Sequence, residues 1–276
     1  MITDIVTNLS VRDGGKPAGD YAVSVASMLD AHVTGIAIAF DPRIPTSALG
    51  YLPVDIADEQ RRDNETAARA AMERFSEASA RACVASEPRL VSTTLADAGK
   101  EFGRIARRFD LAIVDQAKPN GSAVDASIPE GAMFESGRPV IIVPYIQTAP
   151  LKLDRVMVCW DGSRAAARAV ADAMPLLERA KNVEVVIVTN ERSKQKELEG
   201  ADIGQHLARH GIKVEVTRIM RGDLDVADAL LSHSADSGAD FIVMGGYGHS
   251  RLREFVLGGV TRKILQCMPV PALMSH

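Results

Sequence analysis

Apolar residues along this chain fall into short unbroken runs, separated by longer stretches in which they recur every third or fourth position. "RVMVCW" (155–160), "NVEVVIVTN" (182–190) and "ADFIVMG" (239–245) have the Val-, Ile- and Met-rich character of strands buried on both faces. "IKVEVTRIM" (212–220) alternates as a half-buried strand does, and "VPALM" (270–274) closes the series. Between the runs, "RAAARAVADAMPLLERA" from Arg164 puts Ala166, Val170, Ala173, Leu176 and Leu177 on one helical stripe. Pro175 is expected to kink that helix. The polar stretch from Ser193 to His210 predicts a second helix stopped by Gly211. "RGDLDVADALLSHSADSG" predicts a turn and a third helix, and "RKILQCM" a fourth. Strands alternating with helices at this spacing make a parallel sheet covered on both faces.

The first half has the same rhythm. Runs at 4–9, 32–40, 89–95, 111–116 and 140–144 read as strands, and stretches at about 17–30, 59–82 and 97–108 as helices. Two tandem copies of one α/β fold account for this most simply, each a Rossmann-like, five-stranded parallel sheet with helices on both faces. "YIQTAPLKLD" (145–154) has no strong pattern, so the boundary is set near Ala149, giving domains 1–149 and 150–276. The segment from Asp41 to Asp58, with Pro42, Pro45 and Pro53, has no counterpart of equal length in the second half and reads as a loop or lid.

Composition narrows the classes. The 276 residues are 46% hydrophobic and 25% charged, ordinary values for a globular protein with a buried core. No apolar run approaches a membrane span, and the N-terminus lacks a basic start followed by an apolar stretch, so a cytoplasmic protein without membrane partners is expected. A net charge of -4 and an aromatic content of 4% argue against a nucleic-acid surface. The three cysteines, Cys83, Cys159 and Cys267, form no CxxC pair, and the histidines form no cluster at metal spacing. They read as buried thiols, and the sequence supplies no metal ligand set.

The stretch "MGGYGHSRLREFVLGG" (244–259) concentrates glycine where the chain leaves a predicted central strand and enters a helix. Open α/β sheets bind ligands at such places. Backbone amides freed at the turn, with the positive end of the following helix, attract phosphate. The stretch is not a P-loop, because no GK[ST] ending occurs, nor a dinucleotide fingerprint, because the GxGxxG spacing is missing.

The pattern Gly245-x2-Gly248-x9-Gly258, after "FIVM" and before "VTRKIL", resembles the nucleotide loop of the universal stress protein family. "VCWDGS" (158–163) resembles that family's first strand and turn. The resemblance is clearest over 155–274 and weaker over 1–144, so the chain is similar to a tandem universal stress protein. It implies an adenine nucleotide in the second copy: ATP, or ADP or AMP in its place, with Mg2+ accompanying ATP. Asp161 matches an adenine-contacting aspartate, followed by Gly162 and Ser163 in the turn, and Val188 a contact to base and ribose. Met244 and Gly245 line the nucleoside side. Gly222 and Asp223 resemble a turn near the ribose. Gly248, Gly258, Gly259 and Val260 hold phosphates through their amides. Gly259 departs from the family's ATP-binding pattern, which has Ser or Thr there, and Thr261 is the nearest substitute hydroxyl.

Each of these residues also has a plainer reading. Asp161 is equally a cap for the helix from Arg164. His249 is a phosphate contact, an acid or base, or a solvated loop residue, and Arg251 and Arg253 are phosphate contacts or helix surface. His206, His210 and His233 read as surface residues of amphipathic helices. In the first copy Ser10 stands near the place of Asp161, and 114–139 lacks the glycine spacing. That copy is expected to be structural, pairing with the second through the last strands, in a monomer or homodimer of tandem chains. Three functions stay open: a non-catalytic nucleotide-responsive stress protein, a slow ATPase with Asp223 and His249 as candidates, and an interaction protein that has lost nucleotide binding. The protein partner is not named by the sequence.

Overall fold

The computed structural model describes residues 1–10, 17–41, 54–118, 123–189, 199–246 and 259–276. In the first half the elements run β1 (Asp4–Leu9), α1 (Pro17–Leu29), β2 (His32–Phe40), α2 (Val54–Arg81), β3 (Ser86–Thr93), α3 (Ala98–Ala106), β4 (Leu111–Asp115), α4 (Ala123–Glu135) and β5 (Val140–Val143). In the second they run β6 (Val156–Cys159), α5 (Arg164–Leu177), β7 (Val183–Thr189), α6 (Glu199–Arg209), β8 (Val214–Met220), α7 (Val226–Ser237), β9 (Phe241–Gly245), α8 (Gly259–Cys267) and β10 (Ala272–Ser275). The α/β alternation predicted from hydrophobic spacing is present in both halves. Helix α4 lies where no helix is predicted. It carries Pro129 and Gly131 and lacks a clean apolar stripe, so its sequence resembles a loop. Helix α5 continues through Pro175 to Leu177. Of the segment Asp41–Asp58, read as a loop or lid, residues 42–53 lie outside the described residues, while 54–58 belong to the start of α2.

Two compact units emerge from the chain: Ile2–Arg138 with Thr148–Pro150, and Pro139–Gln147 with Leu151–His276, to which Met1 also belongs. The first unit orders its strands β3-β2-β1-β4, all parallel. The second orders them β5-β10-β9-β6-β7-β8. Its strands are parallel except for β5, which runs antiparallel to β10 with Ile142 opposite Ala272 and Val140 opposite Met274. The pairs among β1–β4 and among β6–β10 are parallel, as expected within each copy, and the antiparallel pair joins β5 to β10, the last strands of the two predicted copies. Helices cover both faces.

A matching device starts the sheet in each unit. Asp110, just before β4, accepts the amides of Thr3 and Asp4 at 2.9 and 3.1 Å. Asp240, just before β9, accepts the amides of Asp154 and Arg155 at 2.9 and 3.3 Å. Each satisfies backbone donors left unpaired where β1 or β6 begins. The return bonds match too: Asp110 N donates to Asp4 O at 2.9 Å, and Asp240 N to Arg155 O at 3.0 Å.

Cores are aliphatic, with Ile5, Ile36, Leu111 and Ile113 fully buried in the first unit and Met157, Leu176, Leu177 and Phe241 in the second. Gly211 and Gly238 end α6 and α7 with φ of 77° and 68°, a conformation that suits glycine.

Candidate functional site

Strand order reverses between β6 and β9, so the switch point of the second unit lies at their carboxyl ends. Cys159 and Met244 are register partners there. One residue beyond Cys159 the Trp160 amide donates to Val186 O at 2.9 Å, and two beyond Met244 the Gly246 amide donates to Ser275 O at 2.8 Å. These bonds hold two departing turns on neighbouring strands.

The first turn is built by Asp161, Gly162 and Ser163. Gly162 has φ of 75°. Asp161 Oδ1 accepts the Ser163 amide at 2.9 Å, and Ser163 Oγ accepts the Ala166 amide at 3.1 Å. Ser163 is thus the N-cap of α5, while Asp161 braces the turn before it and remains exposed. The carboxylate keeps a second oxygen for another partner.

On the other side of the switch point, a Cβ placed on Gly245 would come within 2.6 Å of the Ala165 carbonyl carbon and the Ala166 nitrogen. The end of β9 rests directly on the first turn of α5. Gly245 therefore has a packing reason to be glycine. The two turns are locked together by that contact, which fixes the crevice walls. Met244 beside it is buried.

Val188 lies two residues beyond Val186 on β7, half-buried, with Ile219 as its register partner on β8. Gly222 and Asp223 form an exposed turn after β8, with Gly222 at φ of 56°. They leave the same sheet end as Asp161, but two strands further out, about 10 Å at ordinary strand spacing. Gly259 and Val260 open α8. Gly259 is exposed, with no described residue within 4 Å of where a Cβ would stand. Thr261 is buried, 5% exposed. Gly248, His249 and Gly258, with Arg251 and Arg253, lie outside the described residues.

Several features of this end of the molecule are not read from the sequence. Lys263 on α8 donates to Asp225 at 2.7 Å and Asp228 at 2.6 Å, joining α8 to the start of α7. Asp225 is also the N-cap of α7, accepting the Asp228 amide at 2.8 Å. The Lys263 hydrogen bond holds the Asp225 carboxyl below its usual range, and the pair of carboxylates raises the Lys263 ammonium. The available signal was the DxxD spacing in "DLDVAD". The indole nitrogen of Trp160 is buried with no hydrogen-bond partner among the described residues.

Expectations for two residue types change. Cys83 and Cys267 are exposed, not buried; only Cys159 is sheltered, and burial, with a smaller effect of the Asp161 charge, pushes its thiol up to about 12. His206 and His210 are exposed, their rings 4.8 Å apart, as surface residues should be. His233 instead lies 2.9 Å from the buried Glu184. Among the described residues no group of His, Cys, Asp or Glu is placed to hold a metal ion. No described helix is long and apolar enough to cross a membrane.

This fold defines a doubly wound α/β protein whose second unit has its switch point at the carboxyl edge of β6 and β9. Residues 152–276 match the model of the universal stress protein family. A universal stress protein from Synechocystis sp. is 26% identical over 140 residues, 49% of this chain and 46% of its own, so the chain spans about half the length of that curated relative. A crystal structure of a universal stress protein from Archaeoglobus fulgidus superposes with a TM-score of 0.76 at 15% identity, covering 99% of this chain and 97% of that one. A functionally unknown protein from Pseudomonas aeruginosa gives 0.59 at 14% identity, covering 99% and 92%. At these identities the two structures show a shared fold. The second half of the chain is similar to the universal stress protein family, and the chain as a whole shares the fold of the Archaeoglobus fulgidus protein.

Proposed function

We propose that residues 150–276 bind ATP, or ADP or AMP in its place, and that the protein is a non-catalytic, nucleotide-responsive regulator of a stress response. The observation that carries this is the convergence at one switch point of the Asp161 turn and the Gly245 contact, with the Gly245-x2-Gly248-x9-Gly258 spacing leading from there into α8. Asp161 receives the base and Val188 the nucleoside. The α8 amides at Gly259 and Val260 receive phosphate, for which a helix N-terminus is suited. Mg2+ accompanies ATP, a cytoplasmic location goes with this role, and the first half serves as a structural partner in a monomer or a homodimer.

Thermal unfolding with and without millimolar Mg-ATP tests the reading on wild type and Asp161→Ala. A ligand at a hundred times its dissociation constant adds about 2.7 kcal/mol, which in a domain of this size is a shift of several degrees. Wild type should shift and the variant should not. An unmoved wild type favours the second reading, an interaction protein that has lost nucleotide binding, for which Gly259 in place of Ser or Thr is the supporting observation.

A further inference from the structure

The last residues of the two fourth strands, Asp115 on β4 and Gly245 on β9, hold equivalent places. Each ends a five-residue strand that begins just after a strand-capping aspartate, Asp110 or Asp240. Each touches the first turn of the helix that follows β1 or β6, but with opposite chemistry. Gly245 brings bare backbone against Ala165 and Ala166. Asp115 puts a carboxylate there: Oδ1 accepts the Ala18 amide at 3.0 Å, and the residue is only 6% exposed. Pro17 opens α1 and has no N–H, so the Ala18 amide is that helix's first available donor. The Asp115 amide in turn accepts its place from β1, donating to Asn8 Oδ1 at 3.3 Å, which locks the carboxylate at the β1–β4 switch point.

We infer that Asp115 is an internal anion that closes the first crevice to phosphate-bearing ligands, and so decides that the chain carries its nucleotide in the second half. The inference rests on the nucleotide reading of that second half. A carboxylate nine-tenths buried on the α1 amide both consumes the donor and repels a second anion brought beside it. At the second switch point the equivalent residue, Gly245, brings no side chain of its own. One residue type thus separates a crevice open to anions from one that supplies its own.

The test is amide hydrogen exchange over residues 17–29 with and without inorganic phosphate, in wild type, Asp115→Gly and Asp115→Asn. Phosphate should leave exchange of this segment unchanged in wild type. In Asp115→Gly it should slow exchange about tenfold once phosphate exceeds its dissociation constant tenfold. Asp115→Asn keeps an acceptor for the Ala18 amide while removing the charge, and should respond in the same direction even if the glycine variant does not fold. Equal phosphate responses in wild type and the folded variants overturn the inference. Because the readout is confined to α1 and uses no nucleotide, a second half that fails to bind ATP gives a separate, distinguishable result.

Discussion

Nε2 of His233 stands 2.9 Å from Oε1 of Glu184, whose side chain is only 5% exposed on the sheet of the second unit. An ionised carboxylate only accepts, so the histidine nitrogen donates. Arg155 Nε reaches the other oxygen at 3.3 Å. Burial works against ionisation of Glu184, but the hydrogen bonds of Thr217 and His233 and the charges of His233 and Arg155 outweigh it and hold the carboxyl below its ordinary value of 4.5. A carboxyl more acidic in the folded state than in the unfolded one adds stability at pH values above the unfolded value, and that stability is lost as pH falls through the folded one. Glu184→Gln should therefore be less stable than wild type at pH 7, by about 1 to 3 kcal/mol. The two should converge below pH 4.5. Urea unfolding at a series of pH values reads this, and a difference that stays constant into acid would sink it.

Close helix packing in the first unit depends on glycine. A Cβ on Gly131 of α4 would fall inside the backbone of Gly99 on α3, and one on Gly103 would collide with the carbonyl of Gly131. Gly131→Ala should cost about 1 to 3 kcal/mol or more, since neither backbone can yield as a side chain would. Alanine's better helix propensity recovers at most about 1 kcal/mol. Gly19 in α1 is the control, because its Cβ would approach Leu9 and Phe75 only to 3.4 and 3.9 Å. Gly19→Ala should be neutral or slightly stabilising. Equal midpoints for the two variants in denaturant would show that the α3–α4 contact tolerates separation.

Much of this was legible in the sequence, and the misses share a cause. Buried parallel strands announce themselves as apolar runs, so β6, β7 and β9 are found within a residue or two of their ends. The family motif likewise finds the switch-point turn at Asp161. Helix α4 is hidden because the packing that stabilises it uses Gly131 against Gly99, and such a contact leaves no hydrophobic stripe to read. Gly245 looks like a ligand residue in sequence, yet its closest constraint is the α5 backbone. The ties of Glu184 to His233 and of Lys263 to Asp225 span 49 and 38 positions, and no local pattern encodes partners that distant.

Thiol chemistry separates the three cysteines. Cys83 and Cys267 are exposed, whereas the Cys159 thiol, pushed up to about 12, stays protonated at neutral pH. The thiolate is the reacting species. Titration of the native protein with an aromatic disulfide at pH 8 should count two rapid thiols, and the third should appear only on unfolding. Three rapid thiols in the native protein would mean that the end of β6 opens readily.

Gly259 offers the sharpest test of the phosphate end. It begins α8, is exposed, and has no described residue within 4 Å of where a Cβ would stand, so a serine side chain meets none of them. Gly259→Ser should leave thermal stability unchanged or slightly raised, because serine is the better residue at a helix start and less costly to order than glycine. If α8 receives phosphate, the new hydroxyl adds a hydrogen bond to a charged group, about 1.5 to 3 kcal/mol, or roughly ten- to a hundredfold in affinity. Calorimetric titration with Mg-ATP on wild type and variant reads the gain directly. Tighter binding by the variant, abolished again by Asp161→Ala, ties both ends of the nucleotide to one crevice. Unchanged affinity in a variant that folds and binds would place the phosphates away from the start of α8.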